Sequence, residues 1–253
     1  MAARAVRAAA HVHSEWSDDA SWPLGRIAAA FGRRGYAVVL MCEHSRGFTA
    51  AKWHEYVQAC EAASSRRVTL VPGIEYGDGD DVVHIPVWGR VPFFGEAPRT
   101  GALLGAVSEA GGTAVWAHPW RRDAWQRFDP SWSRYLSAVE VWNRKYDGIA
   151  PSRRSLELSR RAGTRPFVSL DFHTRRQLFP LSLRLGLDGP AGPEGVRAPQ
   201  PPVPPDQVYA ALQAGRFTAR ALGVALDRLT SGLPAATLRT LEAGRQFAAR
   251  LAR

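Results

Sequence analysis

Cysteine and lysine are both scarce in this chain of 253 residues: Cys42 and Cys60 are the only thiols, Lys52 and Lys145 the only amines on side chains. Two thiols cannot staple a disulfide framework, so the fold must be held by its core, and a reducing compartment is the default expectation. No apolar run approaches the roughly 18 residues that a membrane span needs. The basic opening MAARAVRAAAHVHSE has too short an apolar part for a secretory leader. A soluble, cytoplasmic protein without a membrane partner is therefore expected. There is no internal repeat. At 45% hydrophobic content, the length suits one domain with a substantial core. Residues 1–225 are expected to form that domain. Residues 226–253 would be a C-terminal helical extension, with Leu238, Leu241 and Leu251 set among arginines as in an amphipathic helix over 235–252.

With lysine nearly missing, arginine carries the formal net charge of +10. Basic surfaces attract phosphate backbones. Here, however, the arginines are dispersed through a chain rich in Ala, Gly and Pro, with only short clusters at Arg153–Arg154 and Arg160–Arg161. Composition leaves a nucleic acid, a small anionic substrate and a plain solvated surface all open.

Strand and helix patterns alternate. Strands are expected at 6–13, 36–42, 68–74, 82–88, 113–117, 138–142 and 166–170, and helices at 24–34, 51–65, 102–110 and 152–162. Residues 77–81 read as a Gly/Asp turn. Seven strands with intervening helices predict a parallel α/β architecture. From 186 to 205, seven prolines and several glycines predict an irregular connection. A helix at 206–214 and a last strand at 217–224 follow it.

The histidines carry the chemistry. His11 and His13 fall at the end of the first strand, Glu43 and His44 at the end of the second and Glu75 at the end of the third. His84 lies in the fourth, His118 follows the fifth, Glu140 and Asn143 close the sixth, and Asp171 and His173 the seventh. Only His54 lies inside a helix, where it reads as a surface residue. In parallel α/β folds the carboxyl ends of the strands share one rim, where sites assemble. Imidazoles and carboxylates gathered there have the chemistry of a metal site. The i, i+2 spacing of His11 and His13 puts both rings on one face of a strand, and Asp171 and His173 repeat it. Packing alone does not account for the set, because buried charge is costly unless paired or metal-bound. Cys42, at the end of an apolar strand, reads as an inert buried thiol. Trp16, Trp116, Trp120 and Trp142 sit beside these residues and suit either stacking on a base or core packing.

In this order the residues resemble the polymerase and histidinol phosphatase (PHP) domain family. Its HxHxxxSDG motif appears as His11-Val12-His13-Ser14-Glu15-Trp16-Ser17-Asp18-Asp19, with Asp19 at the glycine position. TDH appears as Cys42-Glu43-His44, the acidic motif as Gly73-Ile74-Glu75 with His84 downstream, and AHP as Ala117-His118-Pro119. Glu140-Val141-Trp142-Asn143 and Leu170-Asp171-Phe172-His173 complete the series. The resemblance covers about residues 8–173 and implies a distorted seven-stranded (β/α) barrel with its metal site at the C-terminal ends of the strands.

It further implies two or three divalent ions, manganese, zinc or iron. His11, His13, Glu75 and Asp171 would hold the first; Glu75 would bridge to a second on His84 and His118; Asp18, His44 and His173 would hold a third. The implied activity is hydrolysis of a phosphate ester, a small phosphomonoester or a nucleotide-like phosphodiester, by a hydroxide shared between the ions. Asp18 and His173 are the candidates for protonating the leaving group. Arg121, Arg144, Lys145 and Arg175 follow the rim and are candidate phosphate clamps. Glu43 and Asp19 depart from the family pattern, the first bearing on how His44 is oriented and the second competing with Asp18 as a ligand. A small phosphorylated substrate is the expected partner. The competing expectations are a nuclease or proofreading module acting on nucleic acid, and a metal-binding regulatory domain without catalysis.

Overall fold

The computed structural model describes residues 3–190, 202–232 and Thr240. The chain opens with β1 (Ala3–Val12) and α1 (Leu24–Arg33). α1 turns Leu24, Ile27, Ala28 and Phe31 inward at helical spacing and stops at Gly35, which takes the left-handed φ of 77° that a helix terminator needs. Next come β2 (Val38–Met41), β3 (Glu43–His44), α2 (Ala50–Ala63), β4 (Thr69–Val71) and β5 (Gly73–Gly77). β2 lies within the strand expected at 36–42 and β3 follows directly after it, while β4 and β5 divide the strand expected at 68–74. They break at Cys42 and Pro72, and Pro72 has no N–H to give to a ladder.

The chain continues through β6 (His84–Trp88), α3 (Thr100–Glu109), β7 (Thr113–Trp116), β8 (Leu136–Asn143) and the short α4 (Arg144–Asp147). Then follow α5 (Arg153–Arg161), β9 (Arg165–Ser169), β10 (Leu181–Pro190), α6 (Pro205–Gln213), β11 (Phe217–Ala221), β12 (Val224–Ala225) and α7 (Leu226–Gly232).

Hydrogen bonding sorts the strands into two six-stranded sheets, β12-β11-β10-β1-β2-β4 and β3-β5-β6-β7-β8-β9. The chain crosses from one sheet to the other at Cys42 and Pro72. The segment after β9 returns to β1: Phe172 N donates to His11 O and His13 N to Phe172 O, each at 2.9 Å. The architecture is mixed α/β, which corrects the all-parallel expectation, and the described strands make no closed seven-stranded barrel. β5–β6, β6–β7, β1–β10 and β10–β11 pair antiparallel. The Gly/Asp turn after β5 is too short for the crossover that a parallel pair requires, so β6 has to run back along β5.

β10 is also a correction. An irregular connection is expected from Gly186, yet the strand extends to Pro190. Its Leu181, Leu183, Leu185 and Leu187 are buried while Arg184 and Asp188 face solvent. That period-2 alternation, and not the prolines that follow, decides its conformation. The rest of the Pro-rich loop is described only from Pro202 onward. The expected helix over 235–252 lies outside the described residues apart from Thr240, and no helix among the described residues is long and apolar enough to cross a membrane.

Candidate metal centre

Three candidate ligands stand on strained backbone. His11, His118 and Asp171 have φ of 59°, 26° and 46°, in the left-handed region that side chains with a Cβ avoid. The ladder between β1 and β2 slips between Ala10 and Val12, so His11 is the extra residue of a bulge. The bulge, and not a regular i, i+2 pleat, brings the rings of His11 and His13 to 5.0 Å. His118 is held at its odd φ by Glu140, whose Oε2 accepts its N–H at 3.0 Å. His84 reaches the same rim for another reason. It is the first residue of β6, which runs against β5, so its beginning lies beside Gly77 at the end of β5.

Glu75 is the hub. It is 1% exposed, and its Oε1 lies 3.2 Å from His11 Nε2, 2.9 Å from His84 Nδ1 and 3.1 Å from His118 Nε2. Its Oε2 lies 3.0 Å from His44 Nδ1 and 3.6 Å from His13 Nε2. Asp171 completes the ring, with Oδ1 at 3.7 Å from His13 Nε2 and 3.3 Å from His173 Nδ1. Burial alone would raise Glu75, but His11 and His84 hold it well below the usual carboxylate range. Burial would likewise lower His44, but Asp19 and Glu75 push it up to about 10.

The outer contacts of the imidazoles determine which nitrogen faces inward. Glu140 Oε1 accepts from His11 Nδ1 at 2.8 Å, which leaves His11 Nε2 for the centre. Asp81 Oδ1 at 2.8 Å and Arg121 Nη1 at 3.0 Å both engage His84 Nε2, so Nδ1 is the nitrogen that faces the centre. The carbonyl of Asp171 accepts from His173 Nδ1 at 3.0 Å and leaves Nε2. For His13 the argument runs through Ser17. Its hydroxyl donates to Glu43 Oε2 at 2.5 Å, so it has no proton to offer His13 Nδ1 at 3.1 Å and must accept from it. His13 Nε2 is thereby left bare. The buried nitrogens of this set without a hydrogen bond are the inward-facing His11 Nε2, His13 Nε2 and His84 Nδ1, and the outer Nδ1 of His118. Buried polar atoms are rarely left so. A divalent cation is the partner they fit, beside Glu75 and Asp171. Groupings of donor atoms that could hold an ion are His11–His13–Asp171, His11–Glu75–His118, His44–Glu75–His84, His13–His44–His173 and the more exposed Asp18–Asp19–His44.

Glu43 does not touch the His44 ring. Fully buried, it accepts from Ser14 N at 3.0 Å, Ser14 Oγ at 2.6 Å, Ser17 Oγ at 2.5 Å and Tyr56 Oη at 3.2 Å. Ser17 Oγ in turn accepts the backbone N–H of His44 at 3.1 Å. Glu43 therefore orients His13 and the backbone of His44 through one serine. Asp19, at the family's glycine position, lies 3.2 Å from His44 Nε2 and 3.0 Å from His173 Nε2. Asp18 turns outward, 56% exposed and 3.6 Å from Arg46. Of the two neighbours, Asp19 stands nearer the imidazoles.

A cavity of about 80 Å³ opens onto the cluster, lined by Asp19, Glu75, His118, Arg121, Lys145 and Tyr146 among others. Arg121 is braced there by Asp81, donating to its carbonyl and its Oδ2 at 2.7 Å each. Lys145 Nζ lies 3.0 Å from His173 Nε2 and 3.6 Å from Asp171 Oδ1. The other two expected clamps lie elsewhere. Arg144 packs over the Phe179 ring at 5.3 Å, and Arg175 lines a separate cleft beside α1.

Sequence reasoning missed Tyr146, whose ring meets His118 at 4.8 Å. It also missed Asp81, although three residues before a histidine in a tight turn is a readable signal. The tryptophans pack: Trp116 stacks on Phe128 at 5.4 Å, Trp16 meets Tyr56 at 5.3 Å, Trp120 meets Trp125 at 5.0 Å and Trp142 meets Phe179 at 5.7 Å. Cys42 is buried, and burial together with Glu75 and Glu140 raises its thiol well above the usual range, which suits an inert role. His54 is exposed on α2.

No family model and no curated protein matches the sequence. Among solved structures, PsfC from Pseudomonas syringae PB-5123 matches with a TM-score of 0.63 at 13% identity, over 98% of this chain and 99% of its own. Endonuclease Q, in complex with a 27-mer duplex bearing an abasic lesion, matches with a TM-score of 0.56 at 13% identity, over 83% of this chain and 57% of its own. A candidate metal-dependent phosphoesterase from Bifidobacterium adolescentis matches at 18% identity over 67% of this chain and 88% of its own, with a TM-score of 0.47. At such identities the likeness is one of fold.

Proposed function

We propose that the chain is a metal-dependent phosphoesterase of the PHP type, acting on a small phosphomonoester or a nucleotide-like phosphodiester. The observation that carries this reading is the convergence of the buried nitrogens His11 Nε2, His13 Nε2 and His84 Nδ1 on the carboxylate of Glu75. On this reading His11, His13, Glu75 and Asp171 hold one ion, and Glu75, His84 and His118 a second. His44 and His173 hold a third, with Asp19 as the nearer carboxylate and Asp18 beside it. Zinc, manganese and iron all suit such imidazole and carboxylate donors. Divalent ions bound here would supply an activated water and positive charge for the phosphoryl oxygens.

The chain's own residues do the rest. Arg121, fixed by Asp81, and Lys145, at the mouth of the cavity, bind non-bridging oxygens of the substrate. Tyr146, 41% exposed above His118, closes one side of the cavity and limits the water that enters. Asp18 and His173 are the candidates for protonating a leaving group; Asp18 turns towards Arg46, and His173 is engaged with Asp171 and Asp19. The neighbour solved with a DNA duplex favours a second reading, a nuclease built on the same centre.

The test is elemental analysis of purified protein, followed by assays on mononucleotides, sugar phosphates and single-stranded DNA with added manganese or zinc. The double variant His11→Ala/His118→Ala should lose bound metal and all turnover while remaining folded. Full activity in that variant would sink the proposal. A metal-loaded protein inert on every ester would favour a regulatory role.

A further inference from the structure

The arginines that look dispersed along the sequence are gathered at one place by α1. Arg26, Arg33 and Arg34 recur at helical spacing along one face, and the segment after β9 brings Arg175 opposite them. The four line a cleft of about 280 Å³ together with Trp22, and no acidic side chain lines it. Some surface arginines elsewhere in the described residues find carboxylates, among them Arg90 with Asp206, Arg127 with Asp78 and Asp80, and Arg216 with Asp188. None of the four cleft arginines has such a partner among the described residues. Arg34 donates to the carbonyl of Ala30 at 2.8 Å, and the Arg26 guanidinium lies 4.0 Å over the Trp22 ring. Four like charges around one concavity repel unless an anion sits between them. Guanidinium forks match phosphate oxygens in particular, and four forks exceed what one phosphate group can engage.

The cleft lies beside the segment that carries two candidate ligands. Trp22 packs edge-on against Phe172 at 5.0 Å, and Phe172 lies between the candidate ligands Asp171 and His173. Arg175 follows His173 by two residues, no more than ~7 Å along an extended chain. We infer that this cleft binds a linear chain of phosphate groups, the chemistry shared by a nucleic-acid strand and an inorganic polyphosphate. Turnover of the bound chain rests on the phosphoesterase reading; its binding does not.

The experiment is fluorescence anisotropy of a labelled single-stranded DNA oligonucleotide titrated with the full chain, in chelator and at several salt concentrations. The double reversal Arg26→Glu/Arg33→Glu should weaken binding at least tenfold and reduce the slope of log affinity against log salt by ~1.4, about 0.7 per lost contact on a single strand. The control Arg160→Glu/Arg161→Glu, on exposed residues at the end of α5, should bind as the parent does. Unchanged melting temperatures and metal content establish that both variants are folded.

Tripolyphosphate in competition distinguishes the sources. Displacement of the oligonucleotide at equal ionic strength, where sulfate fails, assigns the cleft to polyphosphate as well; no displacement assigns it to nucleic acid. Equal losses in cleft and control variants, or no binding of either probe by the parent chain, would overturn the inference. Hydrolysis of bis(p-nitrophenyl) phosphate by the parent with manganese reads the catalytic proposal separately: if that fails while cleft binding holds, only the enzyme reading falls.

Discussion

Ser17 shows how much one small side chain can determine. It accepts from His13 Nδ1 and from the N–H of His44 because Glu43 takes its only proton. Ser17→Ala removes the acceptor without adding bulk, leaving His13 free to present the wrong tautomer. Loss of an outer contact of this kind typically weakens metal binding ~10–100-fold. That loss should appear in chelator competition while Ser17→Thr restores affinity, and equal affinity in all three proteins would refute the role.

The same residues set a pH dependence. In the metal-free protein burial would lower His11, but Glu75, Asp171 and Glu140 raise it well above its ordinary value, and His44 is pushed up to about 10. Both therefore carry protons at neutral pH, whereas burial keeps His13 neutral. A metal needs the neutral ring, so loading must release protons, and apparent affinity should climb as pH rises towards those raised values. Calorimetry in two buffers of different ionisation enthalpy measures the release; a heat that does not change with buffer would contradict it.

At the scale of elements, the crossing between the two sheets is where the centre is made. Glu75 stands two residues after Gly73, and Trp88 Nε1 donates across the gap to Met41 O at 2.7 Å. A Cβ at Gly73 would collide with the Trp88 indole and stand 2.7 Å from Met41 O. Neither can yield cheaply, since the ring is buried and the other atom is backbone. Gly73→Ala should therefore cost ~1–3 kcal/mol of stability, the usual range for overpacking, and loosen metal binding through Glu75. Denaturant unfolding with and without metal measures both effects, and a variant as stable as the parent would show that the sheets can part there. The antiparallel β6 and the bulged β1 teach the same point. Strand ends reach one rim only after a reversal at 77–83 and an extra residue at His11, neither of which a regular pleat supplies.

For the whole molecule, Glu43, Glu75, Glu140 and Asp171 are all buried, in a chain whose surface is basic. Enclosing that many carboxylates costs several kcal/mol per ion unless cations face them, so metal and fold should be linked. An ion at 100 times its dissociation constant adds ~2.7 kcal/mol, which for a chain of this size is a rise of ~5–10 °C in melting temperature. Calorimetric scans with manganese, zinc and chelator test this; one melting temperature in all three would exclude a centre bound only by the folded state.

Amino-acid order alone was enough to name the imidazoles and carboxylates that gather around Glu75. Histidine and carboxylate at the ends of apolar runs leave a local trace, because strand period and residue type are properties of short segments. Alternation over 181–188 was equally legible, though the prolines beyond it draw attention away. Tertiary structure alone decided which nitrogen of each imidazole turns inward, that Asp19 stands closer to the imidazoles than Asp18, and that Arg175 joins α1 while Lys145 stays at the cavity. Each of these depends on contacts between segments far apart in the chain, such as His11 with Glu140 or Ser17 with Glu43. Directions in space are fixed only when sheets pack, and no local pattern encodes them.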